Sequence, residues 1–195
     1  GDTPWKALEE ALMQVEGSYS MLSLCEDGML VARDPFGFRP LSIGRLDGAY
    51  VFSSETCALD MVGAVYERDV MPGEIIYVAP DGEMHSKIFA TSPKKAHCIF
   101  ELIYFARPDS RIFGESVYKV RRKLGEQLAL EHPADGADVV VPVPDSGMYA
   151  ALGYSAQSGT PFEMGIMRNH YVGRTFIKPS PEDRKTTVNI KLNPI

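Results

Sequence analysis

Cysteine is scarce in this chain. The three present, Cys25, Cys57 and Cys98, are odd in number and lack CxxC spacing, which argues against a disulfide framework and for a reducing, cytoplasmic setting. No apolar run approaches the ~20 residues that span a bilayer, so no membrane partner is expected. The opening GDTPWKALEE has no basic segment ahead of an apolar one, and no secretory signal is read there. An initiator methionine is missing too: Gly1 stands first, and the natural start is expected upstream. Positive charge is not in excess. The net charge of −6 argues against a general nucleic-acid binder, which carries a basic footprint. HExxH, GxxxxGK[ST] and the Ser-His-Asp order are absent, removing zincin, P-loop and triad chemistry. Internal repeats and low-complexity segments are absent as well.

What is present is ordinary globular material, 45% hydrophobic and 24% charged over 195 residues, enough for one large domain or two small ones. Residues 4–15 place Trp5, Leu8, Leu12 and Val15 at helical spacing. Residues 18–25 and 28–34 read as strands joined at Glu26-Asp27-Gly28, and the pattern repeats around Asp47-Gly48. A short helix over 55–64 spaces Leu59 and Val62 for one buried face. Further strands turn at Pro72-Gly73 and Asp81-Gly82. Cys25 and Cys57 fall in apolar strand and helix patterns and read as core residues. His85 and His132 read as surface residues, and His97 has no acidic or Cys/His partner at metal-ligand spacing.

The pattern changes at the polar connector SPKKAH, which divides the chain into 1–92 and 93–195. Residues 116–132 predict an amphipathic helix with Val117, Val120, Leu124 and Leu128 as its apolar stripe and Ser116 as its N-cap. Val139-Val140-Val141 is a continuous apolar run, as in a parallel strand buried on both faces. A helix stopped at Gly159 follows. The first part therefore reads as α+β, an antiparallel sheet with helices against it, and the second as the opening of an α/β unit. One convincing parallel strand is an unfinished sheet, so the chain is expected to be an internal piece of a larger protein.

Three places suggest chemistry. The run VVVPVPDSG leads from a strand through Pro144, Asp145, Ser146 and Gly147 into a helix. Ligands of open α/β sheets sit beyond strand carboxyl ends, where free N–H groups at a helix start favour an anion. Helix capping by Asp145 or Ser146 is the plainer reading, compatible with the first. Residues 168–195 hold six basic residues against two acidic, a local net of +4 that leaves −10 for the rest. Within them Arg168, His170, Arg174 and Lys178 suit a basic flap over a phosphorylated substrate, or a solvated charged loop. Arg33, Asp34 and Arg39 crowd a loop between strands, where a paired network would fix the loop in support of a nearby site.

Together the stretches GSYSMLSL (17–24), ARDPFGFRPLSIG (32–44), FSSETCALD (52–60), RDVMPGEIIYV (68–78), CIFELIYFARPDSRIFGESVY (98–118), VVVPVPDSGMYAALGYS (139–155) and MRNHYVGRTFIKP (167–179) resemble the amidophosphoribosyltransferase family. ELIYFARPDS and NHYVGRTFI are its more specific marks, since other class II glutaminases carry loops like RDPFGFRPL. The resemblance implies the later part of an Ntn-hydrolase-type αββα glutaminase domain, then the beginning of a type I phosphoribosyltransferase domain. It implies glutamine and phosphoribosyl pyrophosphate as substrates, Mg²⁺ with the latter, and a homo-oligomer. Pro144, Asp145, Ser146 and Gly147 would belong to a pyrophosphate loop. Arg168, Asn169, His170, Tyr171, Arg174, Thr175 and Lys178 would belong to a flexible loop beside an ammonia channel. Arg33, Asp34 and Arg39 would support the glutaminase, and Cys98 stands where some members ligate an iron–sulfur cluster, although a buried junction thiol is the better reading. The N-terminal cysteine nucleophile and the ribose-phosphate loop match nothing in these 195 residues, so the chain alone is expected to be inactive. The alternatives are a degenerate relative that only binds phosphoribosyl ligands, or another class II amidotransferase.

Overall fold

Alternating apolar residues between glycine-bearing turns fold the first part of the chain into antiparallel hairpins. The computed structural model describes residues 4–92, 94–173, 177 and 179–195. After helix α1 (Pro4–Leu12) come β1 (Ser20–Cys25), β2 (Gly28–Arg33), β3 (Ser42–Leu46), β4 (Ala49–Ser53), helix α2 (Thr56–Val62), β5 (Val65–Asp69), β6 (Glu74–Val78) and β7 (Met84–Ile88). One sheet runs β1-β2-β6-β7 and a second runs β4-β3-β5. The pairing of Val31 with Ile76 and of Ala32 with Ile75 sends adjacent residues to opposite faces. Val31 and Ile76 meet Leu41, Ile43 and Val70 between the sheets. Ala32 and Ile75 meet Leu12 of α1, flanked by Trp5 and Leu8. On the far side of the second sheet, a Cβ on Gly44 would lie 3.1 Å from the Leu59 side chain of α2. The layers therefore run helix, sheet, sheet, helix. Arg68 and Glu74 tie the two sheets together through paired contacts of 2.8 Å.

Residues 94–116 return to this unit. The Ala96 N–H donates to Phe36 O at 2.9 Å and the Cys98 N–H to Phe38 O at 3.0 Å. The Glu55 carboxylate accepts from the Arg107 N–H at 2.7 Å and from Ser110 Oγ at 2.8 Å. A π-helical turn, Glu101–Phe105, and the hairpin of β8 (Arg111–Ile112) with β9 (Glu115–Ser116) complete it. Because of these returns the chain divides into compact units at Gly1–Val117 and Tyr118–Ile195, beyond the polar connector that the sequence suggests as the divide.

The second unit holds α3 (Val117–Glu131), α4 (Met148–Ser158), β10 (Ile166–Arg168), α5 (Pro181–Lys191) and β11 (Leu192–Pro194), with β10 antiparallel to β11. Helices α3 and α4 touch backbone to backbone. A Cβ on Gly125 would lie 1.8 Å from Ala150 O, and one on Gly153 would lie 2.0 Å from Arg122 O.

Several expectations are corrected. The buried residues of α3 are Val117, Arg121, Gly125 and Ala129, whereas Leu124 and Leu128 are nearly half exposed; small residues win that face because a neighbouring helix backbone occupies the space. Of the two residues spaced for a buried face of α2, Leu59 is buried and Val62 is exposed. Cys25 is exposed, because it ends β1, the edge strand of its sheet. Val139–Val141 forms no strand buried on both faces. Val140 makes a lone parallel bridge to Phe162, and Val139 and Val141 are about 40% exposed, since a strand is buried on both faces only where other elements cover the sheet on both sides. The helix stop at Gly159 is found, with the glycine left-handed at φ 75°. Among the described residues no helix is long and apolar enough to cross a membrane.

Candidate anion-binding loop

The loop ahead of α4 is shaped by its own backbone. The Gly147 N–H donates to Val143 O at 3.1 Å and the Met148 N–H to Asp145 O at 3.3 Å. A side chain at Gly147 would bring its Cβ within 2.8 Å of Val143 O, so the turn requires glycine. No side chain caps α4, which removes the plain capping role for Asp145 and Ser146. The N–H groups of Asp145 and Ser146 donate to no backbone or side-chain acceptor among the described residues. Two open donors therefore stand at the positive end of a helix of 11 residues, the arrangement that favours an anion.

Arg168 reaches this loop. It ends β10, which β11 holds in register with Arg168 opposite Leu192, and its guanidinium pairs with the Asp145 carboxylate. Its Nε is buried with no acceptor, a rare condition for a charged donor. The chain then turns: the Asn169 N–H donates to Lys191 O at 2.7 Å, and Asn169 Oδ1 accepts from the Tyr171 N–H at 3.0 Å. His170 and Tyr171 are exposed. Lys191 Nζ donates to Gly173 O at 3.0 Å, anchoring the segment to the end of α5. Arg174, Thr175 and Lys178 lie outside the described residues. Sequence reasoning names both Asp145 and Arg168 but not their pairing, and it misses the support from α5 altogether.

Arg33, Asp34 and Arg39 form a separate assembly in the first unit. Arg33 is 3% exposed and donates to three carbonyls, Arg39 O at 2.9 Å, Val70 O at 2.5 Å and Gly37 O at 3.0 Å. Asp34 is fully buried and accepts from the N–H groups of Phe36 at 2.9 Å and Phe38 at 3.1 Å. Arg39 pairs with Glu101 at 2.7 Å. Each buried charge is thus satisfied mainly by the loop backbone, which fixes the loop. Burial lowers the Arg33 pKa below the ordinary arginine value, and Asp69, Asp34 and Glu74 oppose that shift.

The thiols divide by setting. Cys57 is buried and lies 3.6 Å from a Glu55 carboxylate oxygen. Burial raises its pKa, against a hydrogen bond with Ser110 that lowers it. Cys98 is half-buried. Among the described residues no three His, Cys, Asp or Glu side chains gather as a metal site, so nothing here completes an iron–sulfur ligand set around Cys98.

Comparison with known proteins follows the same lines. No protein-family profile matches the chain. It is 52% identical over 187 residues to a chloroplastic amidophosphoribosyltransferase of Glycine max, covering 95% of this chain and 32% of that protein. The amidophosphoribosyltransferase of Rhizobium etli is 53% identical over 188 residues, covering 93% and 37%. That of Methanothermobacter thermautotrophicus is 50% identical over 182 residues, covering 93% and 38%. A solved structure described as glutamine phosphoribosylpyrophosphate amidotransferase from B. subtilis, complexed with ADP and GMP, superposes with a TM-score of 0.89 at 45% identity, covering 100% of this chain and 42% of that one. The chain spans about a third of the length of the curated relatives it matches. Identity near one half over almost the whole chain, with a matching fold, makes this chain similar to one region of these amidophosphoribosyltransferases.

Proposed function

We propose that this chain serves a glutamine-dependent amidophosphoribosyltransferase, in which glutamine is hydrolysed to glutamate and the released ammonia displaces pyrophosphate from phosphoribosyl pyrophosphate to give phosphoribosylamine, the first step of purine biosynthesis. The observation that carries this reading is the pair of open N–H donors of Asp145 and Ser146 beside Arg168, whose buried Nε has no acceptor. These groups stabilise the charge that develops on a departing pyrophosphate, since donors fixed in advance cost no reorganisation when charge appears. The helix-sheet-sheet-helix unit is read as the later part of an Ntn-type αββα glutaminase domain, whose loop Arg33, Asp34 and Arg39 hold rigid. The second unit is read as the beginning of a type I phosphoribosyltransferase domain.

Mg²⁺ belongs to the substrate here, since it commonly binds through one or two carboxylates together with substrate phosphates. Asp145 is the carboxylate at the loop, and Arg168 occupies it. Asn169, His170 and Tyr171 continue from Arg168 toward Arg174, Thr175 and Lys178, the segment read as a flap over the substrate and beside the ammonia path. Cys98 keeps the role of a half-buried thiol, and no step passes through a cluster.

Calorimetric titration of the 195-residue chain with pyrophosphate, with and without Mg²⁺, tests the loop. Saturable binding is expected, weakened about tenfold or more in Arg168→Ala, in line with loss of a charge-assisted hydrogen bond. Absence of binding in a folded chain, or binding indifferent to Arg168→Ala and Gly147→Ala, would overturn the assignment. The same chain should release no ammonia from glutamine. Measured glutaminase turnover would refute the placing of the nucleophile outside these residues.

A further inference from the structure

The loop that buries Arg33 also walls a pocket of about 210 Å³, lined among others by Asp69, Lys95, His97 and Phe113. It lies wholly within the first unit and is smaller than the cavities that take drug-sized ligands. Its walls are rich in unspent donors. Lys95 makes no ion pair or hydrogen bond among the described residues, and neither nitrogen of His97 has a partner there. The His97 ring stacks on Phe113 with centroids 4.1 Å apart and planes 7° from parallel. Phe113 holds a left-handed backbone at φ 52° because Phe113 and Gly114 make the two-residue turn between β8 and β9, and this turn fixes where its ring stands. The Arg33 guanidinium lies 5.9 Å from the centre of the same ring.

We infer that this pocket binds a small oxyanion of the phosphate class, held by Lys95 and His97 at its mouth and by the field of Arg33 behind them. The charged and titratable groups that line it are Arg33, Lys95, His97 and Asp69. With His97 neutral the walls carry one positive charge in excess, and with His97 protonated they carry two. Asp69 selects among anions. Its Oδ1 already accepts from Ser42 Oγ at 3.1 Å and Tyr66 OH at 3.2 Å, so a further donor is welcome there and a bare oxyanion is repelled. Monohydrogen phosphate brings its own O–H to donate to Asp69 while accepting from Lys95 and His97, whereas sulfate at neutral pH has none. The pKa of His97 is lowered from its ordinary value by burial first, then by Arg33 and Lys95, with Asp69 pulling the other way. An anion seated between them would relieve that repulsion.

The test follows the ring protons of His97 by NMR in the 195-residue chain, assigned by comparison with His97→Gln among its four histidines. Inorganic phosphate, sulfate and chloride are titrated at matched ionic strength. Expected are a saturable shift with phosphate, a raised titration midpoint for His97 in its presence, and sulfate binding at least tenfold weaker. Lys95→Gln, a surface change, should weaken phosphate several-fold. Arg168→Ala should leave the His97 response intact, which separates this site from the loop of the second unit. Shifts that never saturate, that are alike for all three salts, or that persist in Lys95→Gln would overturn the proposal.

Discussion

At the scale of single residues, the first unit depends on charges that the solvent does not reach. Asp34 is fully buried, and its carboxylate accepts two loop N–H groups beside the equally buried Arg33. Asp34→Ala orphans both donors and removes one of the anions that support the Arg33 charge, so a loss of about 3 kcal/mol is expected from urea unfolding. Asp34→Asn keeps one acceptor oxygen and should cost about half as much. His97 adds a pH dependence whose sign is fixed. Its folded pKa lies below the ordinary 6.5 because burial, Arg33 and Lys95 disfavour the charged ring. Above that ordinary value the ring is neutral in both states and contributes no slope. As pH falls below it, the unfolded chain takes up the proton first, so stability drops until the folded ring also protonates. In phosphate-free buffer, His97→Gln should therefore lose less stability than the parent between pH 7.5 and pH 5, read from urea midpoints. An equal or steeper loss in the variant would contradict the assigned direction.

At the scale of elements, the helix pair α3 and α4 sets where the candidate loop sits, and two glycines set the pair. Replacing a helical glycine by alanine ordinarily gains up to about 1 kcal/mol in helix propensity. At Gly153 the new Cβ would lie 2.0 Å from the backbone oxygen of Arg122, and a backbone atom cannot swing aside as a side chain does. Overpacking of this kind costs roughly 1–3 kcal/mol, so Gly153→Ala is expected to destabilise despite the propensity gain, checked by thermal or urea melting. The same glycines explain what the sequence hid. Hairpins of the first unit are legible because alternation and turn glycines are local signals. The α3 stripe is not, because leucines look like core whereas close backbone approach buries glycine and alanine. Helix α5 carries a local mark at its start: Ser180 Oγ accepts from the Asp183 N–H at 3.0 Å, Pro181 opens the helix, and Glu182 and Asp183 fill its first turn. The candidate loop was visible as Pro144–Gly147 and the flap as Arg168, but their contact joins residues 23 apart, and no local pattern encodes that distance.

At the scale of the whole molecule, the two compact units should answer to different perturbations. Val31, Ile43 and Ile76 anchor one unit, and glycine-mediated helix contact anchors the other. Two-state behaviour is the rule for single small domains and fails when domains unfold independently. Trp5 is the single tryptophan and packs in the first unit against the Leu12, Ala32 and Ile75 cluster, so its fluorescence reports that unit alone. Far-UV circular dichroism adds the helices of the second unit. In urea, Asp34→Ala should shift the fluorescence midpoint and leave the remaining dichroism step in place. Gly153→Ala should do the reverse. If either substitution moved both probes equally, the chain would unfold as one cooperative body, and the rigidity that the Arg33 loop supplies would then extend to the second unit as well.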